Sequence, residues 1–185
     1  MRLKVLASAT LMAVPLVLLG THANAVEFSA TFSGFQEVGA LNAETGAIFS
    51  PGTGTLDLDL NRNARTIAFK LTFSGLSAPV TQSHIHFGKE HVPGGVMVFF
   101  CTNLNNGPPG TQLCPPGGGT VTGTIVGADV VGPTAQHITA GDFDALVATL
   151  DSDTAYGNIH TTNFPAGEIR GQIRRKDRDD KDDKR

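Results

Sequence analysis

The sequence predicts an all-β protein: an antiparallel β-sandwich or flattened barrel of Greek-key type, carrying one short helix. Three observations predict it. Runs such as TLDLDL at 55–60 and TIAFKLTF at 66–73 alternate apolar and polar residues with a period of two, the signature of a half-buried strand. Gly- and Pro-rich breaks such as SPGTG and SGLSAP separate these runs, as turns do. Only one segment has helical spacing.

In chain order, residues 26–35 (VEFSATFSGF) alternate apolar with small polar residues and open the sheet. The two alternating runs above follow, then QSHIHFG at 82–88, the continuous apolar run GGVMVFFC at 94–101, and the Gly-containing TVTGTIVG at 120–127. In TAGDFDALVATLDS, Phe143, Leu146, Val147 and Leu150 fall at i, i+3, i+4 and i+7, which predicts a short helix. Thr139 with Asp142 three residues on has the form of a capping box and places its start. The chain returns to strand at AYGNIHT, turns through NFPAG and ends in EIRGQI. Seven or eight strands with no alternating βα pattern exclude a parallel α/β sheet, and with it phosphate-loop and dinucleotide-fold readings. The glycines therefore serve turns and bulges.

Both ends fall outside this pattern. Arg2 and Lys4 precede an apolar run from Leu11 to Leu19 and the small-residue sequence Ala23-Asn24-Ala25. These are the three parts of a secretory signal peptide over residues 1–25, and they predict a secreted or periplasmic protein. The apolar run is too short to span a bilayer, and no cysteine at the cleavage point offers a lipid anchor. Residues 174–185, RRKDRDDKDDKR, are all charged and predict a disordered, solvated tail. That leaves 26–173, 148 residues, a size suited to one domain with its own core.

Within 26–173, five Lys and Arg face twelve Asp and Glu. An acidic body excludes nucleic acid as a partner, because phosphates need a basic face. Cys101 and Cys114, thirteen positions apart across a Pro- and Gly-rich stretch, predict one local disulfide in an oxidising compartment.

The histidines carry the most chemistry. On a strand, His84 and His86 share one face with Ile85 on the other, roughly 7 Å apart along the chain, and two imidazoles so placed can converge on one ion. GNIH at 157–160 offers a third, with Ile159 pointing opposite to His160. If the two strands are neighbours, His84, His86 and His160 form a cluster of the kind that suits copper or zinc. His91 and His137 fall on predicted loops as spare donors. The plain alternative is polar decoration of a strand and a hydrogen-bonded corner histidine, and the spacing alone leaves both open.

On the last strand Glu168, Arg170 and Gln172 share one face and Ile169 and Ile173 the other. A structural Glu168–Arg170 ion pair is the expectation. Asp57/Asp59 and Asp142/Asp144 read as solvent-facing charge and helix-dipole partners. No serine stands in a nucleophile elbow and no aspartate has an evident place behind a histidine. No catalytic residue is assigned.

Taken together, HIHFG, the closing YGNIHTTNFPAGEIRGQI and the opening FSGFQEVGALNAETGAIF resemble the CHRD (chordin) domain over nearly all of the foldable chain. Gly39 and Ala40 depart from the prolines usual after EV, and the stretch between Cys101 and Cys114 is particular to this sequence. The resemblance implies an extracellular all-β module, as in chordin, an antagonist of bone morphogenetic proteins, and in single-domain bacterial secreted proteins. Chordin's growth-factor binding is attributed to cysteine-rich repeats, which this chain lacks, so antagonism of growth factors is not implied. A strand-borne HxH pair with a later histidine is also similar to the copper ligands of copper/zinc superoxide dismutases, with Arg170 the only candidate for an anion-guiding arginine. The expected form is thus immunoglobulin- or superoxide-dismutase-like. The expected function is a non-enzymatic extracellular binding or structural module with an unidentified protein or surface partner, holding copper or zinc if it holds a metal. The alternative is a copper protein with dismutase-like redox activity.

Overall fold

The computed structural model describes residues 25–38 and 46–176. Its strands are β1 (Ala25–Ser33), β2 (Thr53–Asn61), β3 (Thr66–Ser74), β4 (Val80–Phe87), β5 (Gly95–Thr102), β6 (Gly119–Ile125), β7 (Ala155–Thr161), β8 (Ile169–Gln172) and β9 (Arg174–Arg175), with one helix, α1 (Phe143–Asp151). All pairings are antiparallel, in the order β5-β4-β7-β8-β1-β2-β3-β6, with β9 added to β1. The two ends of this order approach each other. The rings of Phe69 on β3 and Phe100 on β5 lie 4.9 Å apart, and Cys101 on β5 is bonded to Cys114 ahead of β6. The sheet is therefore a nearly closed barrel, the flattened-barrel form of the predicted all-β fold.

The alternation read from the sequence fills its interior. Leu56, Leu58 and Leu60 of β2 and Ile67, Leu71 and Phe73 of β3 are buried with Phe28 and Phe32 of β1, while Thr55 and Asp59 face outward. Phe32 reaches across to β7 and β8, where Gly157 and Gly171 leave room for its ring. A Cβ on Gly157 would stand 2.3 Å from Phe32 Cζ, so no larger residue fits there without displacing the core. Ile85, Gly157, Ile159 and Ile169 thus face inward, and the residues between them face out.

Helix α1 buries Phe143, Leu146, Val147 and Leu150, the face that the spacing predicts. Its cap is Asp142 rather than Thr139: the Asp142 carboxylate accepts from Ala145 N at 2.9 Å. Gly141, at φ +88°, keeps the chain in a turn until that point. Arg65 pairs with Asp144 and Arg62 with Asp151, each at 2.8 Å, tying the helix to the β2–β3 turn.

The C-terminal boundary also moves. Arg174 and Arg175 form β9 against Ser29 and Phe28, Arg174 pairs with Glu90, and Lys176 lies 3.0 Å from Glu27 and 3.1 Å from Asp57. Basic residues with nothing apolar to bury are held by acidic side chains of β1 and β2 and by a strand ladder. Residues 177–185, and residues 1–24 of the expected signal peptide, lie outside the described residues. Among the described residues no helix is long and apolar enough to cross a membrane.

The Cys101–Cys114 bond joins positions thirteen apart where the barrel ends meet. Replacing both cysteines by serine is expected to cost about 3 kcal/mol, read as a lower urea midpoint than wild type under oxidising conditions.

Candidate metal centre

β4 and β7 lie side by side, with Gln82 opposite His160, His84 opposite Asn158 and His86 opposite Tyr156. On this register His84 and His160 are diagonal neighbours on the outer face, a separation that long side chains bridge. The ring centroids stand 5.3 Å apart for His84–His86, 5.0 Å for His84–His160 and 6.0 Å for His86–His160. One donor atom from each lies within 4.8 Å of the others, and His84 Nδ1 is 3.2 Å from His160 Nε2. In the pairing with β5 the ladder shifts register between Ser83 and His84 and again between Ile85 and His86. Such bulges re-aim side chains.

The outer face of a barrel is ordinarily wet, yet His84, His86 and His160 are 2%, 7% and 6% exposed. The β4–β5 loop and the β7–β8 turn fold over them. His86 Nδ1 lies 2.9 Å from Gly94 O, and His160 Nδ1 lies 2.9 Å from Pro165 O. A carbonyl can only accept, so each Nδ1 carries its proton and each Nε2 presents a lone pair. His84 Nε2 and His86 Nε2 are buried with no hydrogen-bond partner, a state that costs free energy unless something fills it. Ligating histidines are typically held in this way, with one ring nitrogen tied to a backbone carbonyl and the other free for the ion. Metal–nitrogen bonds of about 2.0–2.1 Å place donor nitrogens about 3.3–3.6 Å apart around one ion. The closest pair is already near that separation.

Electrostatics keep the lone pairs available. Burial, then the neighbouring His160 and His86, pull the His84 pKa from 6.5 to about 2. Burial takes His86 to about 4, opposed by its bond to the Gly94 carbonyl and aided by His160 and Arg170. His160 also falls to about 4 through burial, opposed by Pro165. All three are neutral near pH 7. His91 and His137 do not join them: both are exposed, and His91 sits 3.5 Å from the Glu90 carboxylate.

Residues 28–173 match the family model of the CHRD domain. The chain belongs to the CHRD domain family. No curated protein and no solved structure matches it. In this CHRD domain the stretches HIHFG and GNIH, far apart in sequence, are adjacent strands of one sheet.

Sequence reasoning missed what surrounds the histidines. The expected Glu168–Arg170 ion pair is replaced by separate buried networks, because segments distant in sequence bring each side chain its own partners. Glu168 is fully buried and accepts from Ser50 Oγ at 2.6 Å, Thr161 Oγ1 at 2.7 Å, Ser77 N at 2.8 Å and Ser77 Oγ at 3.0 Å. Burial pushes its pKa up, and these donors outweigh it and leave the carboxyl below its usual range. Arg170 donates to Lys89 O at 2.9 Å and Val92 O at 3.2 Å, and its guanidinium lies 3.4 Å over the Tyr156 ring. Tyr156 in turn stacks on His86, with centroids 4.8 Å apart and planes at 7°. Asn158 donates to Glu37 Oε2 at 2.8 Å. The one signal for this layer is that EIRGQ alternates in phase with the histidines.

The buried neutral histidines make stability pH-dependent. In the unfolded chain they take up protons below about pH 6.5; in the folded protein His86 and His160 resist protonation down to about 4, and His84 further still. Between these values the unfolded state holds more protons, so stability falls as pH falls. For chelator-treated protein the urea midpoint is expected to be level above about pH 7 and to drop steadily from about 6.5 to 4; a flat profile across that window would contradict burial of the neutral rings.

Proposed function

We propose that this CHRD domain is a non-enzymatic extracellular or periplasmic binding module in which His84, His86 and His160 hold one copper or zinc ion. A single observation carries the reading. Two of the three imidazoles have Nδ1 fixed by the carbonyls of Gly94 and Pro165, which leaves their Nε2 lone pairs free, and one ring nitrogen from each of the three histidines lies within 4.8 Å of the others. A bound ion would cross-link β4 to β7 and give a partner to His86 Nε2, which is otherwise buried and unpaired. The leader pattern over residues 1–25 supports export, the disulfide suits an oxidising compartment, and the acidic body suits a protein or surface partner better than nucleic acid. We take residues 26–176 as the functional domain, since Arg174 and Arg175 add a strand to β1 and Lys176 pairs with Glu27 and Asp57.

Dismutase-like redox activity has less to support it. Arg170, the residue that would guide an anion, is 1% exposed and is committed to Lys89 O, Val92 O and the Tyr156 ring.

Protein expressed to the periplasm with copper and zinc supplied is expected to carry one metal per chain by elemental analysis, and the His84→Ala/His86→Ala variant to carry almost none. Equal metal content in the two would remove the ligand assignment. Export has its own check: amino-terminal sequencing of the periplasmic product is expected to begin at Val26, and an intact Met1 would exclude cleavage of the leader.

A further inference from the structure

We infer that the centre is built for a monovalent soft cation, cuprous copper, in preference to zinc or cupric copper, because three neutral imidazoles form the whole ligand set in a buried pocket and the Arg170 guanidinium stands behind one of them. The inference rests on the metal-site reading above and deepens it.

The ligand set comes first. The group that can converge on an ion consists of His84, His86 and His160, with no aspartate, glutamate or cysteine among its members. Each imidazole donates without contributing charge, so the ion keeps its full charge inside the protein. The cost of burying an ion grows as the square of its charge, so a divalent ion costs about four times as much as a monovalent ion of equal size. Zinc and cupric sites usually offset this with a carboxylate, a thiolate or a bound hydroxide.

The carboxylates nearby are not ligands. Glu168 is buried near the β7–β8 turn, but donors from Ser50, Ser77 and Thr161 occupy its oxygens. Glu37 accepts from Asn158 Nδ2 and Val38 N, and its charge acts on Arg170. Arg170 itself is a buried cation stacked on Tyr156, which is stacked on His86. Behind the His86 ring, therefore, the field is positive and disfavours a second positive charge on the ion.

Coordination number points the same way. Zinc takes four ligands in a tetrahedron, and cupric copper favours a tetragonal set. Monovalent copper, a filled-shell ion, is satisfied by three nitrogens in a plane. The Phe99 ring meets His84 edge-on at 4.3 Å and Tyr156 covers His86, so two sides of the cluster are walled by rings. Asn158 Oδ1, opposite His84, is a further buried acceptor without a partner, and it too is neutral.

The test is an anaerobic titration of the chelator-treated full chain. Cuprous copper competes with a chromophoric cuprous chelator, and zinc competes in parallel with a chromophoric zinc chelator. One cuprous ion per chain is expected, with zinc held at least about a hundredfold more weakly, and on exposure to air the bound copper is expected to stay silent in electron paramagnetic resonance. The variant His160→Asp, which brings a negative ligand, is expected to move the ratio toward zinc, with circular dichroism verifying its fold. Zinc bound as tightly as cuprous copper, or a full cupric signal in air, would overturn the preference and leave the three-histidine site standing. Failure of every metal to show binding dependent on His84 and His86 would remove the site and the inference together.

Discussion

The pairing of β4 with β7 is the constraint on which the rest of the site depends. Its register is fixed from the inside. Ile85, Gly157 and Ile159 must face the core, where Phe32 occupies the space left by the missing side chain of Gly157. A slip of one residue would drive His84 and His86 into that apolar core and put Ile85 outside, an exchange that costs buried apolar area and strands two polar rings. The histidines are thus gathered by the packing of residues on the opposite face of the same strands. No contact among the imidazoles themselves has to drive the arrangement.

A second layer then converts an outer sheet face into an interior. Gln172 donates to Gly88 O at 3.2 Å and Asp153 O at 2.9 Å, and Arg170 holds Lys89 O and Val92 O, so the β4–β5 loop is stitched down by side chains of β8. With the loop in place, Gly94 O reaches His86. On the other side Glu168 gathers Ser50, Ser77 and Thr161, and the turn that follows β7 brings Pro165 O to His160. Side chains of Glu168, Arg170 and Gln172 therefore hold down the segments that cover the histidines, and the desolvation that keeps all three rings neutral follows from that cover.

How far the sequence reveals this depends on the range of the interaction. Period-two alternation is local, and it placed β2, β3 and the histidine strand well, along with the shared face of His84 and His86. Which strand lies beside which is a long-range matter; the pairing of GNIH with HIHFG was a condition that periodicity could state and could not decide. Glu168, Arg170 and Gln172 look solvent-facing because antiparallel sheets commonly bury one face. They are buried because loops distant in sequence cover them. Arg174 and Lys176 are held in place for a related reason: a wholly charged segment lacks apolar area, but β1 and β2 supply carboxylates and a ladder edge. Thr139 and Asp142 both have capping chemistry, and the turn at Gly141 selects the later one.

The groups that orient His86 and His160 are main-chain carbonyls, and this changes what kind of sequence variation the centre can absorb. Every residue type carries a carbonyl, so exchanging Pro165 for another residue that keeps the turn leaves the acceptor where it was. Gly94 is the exception, since a Cβ there would lie 1.7 Å from Phe87 O. What the imidazoles read is the path of the loops. Lengthening or shortening either roof segment by one residue would rotate a ring away from its partner while the barrel beneath stayed intact, so ligand geometry in this fold is tuned by loop length more than by residue identity.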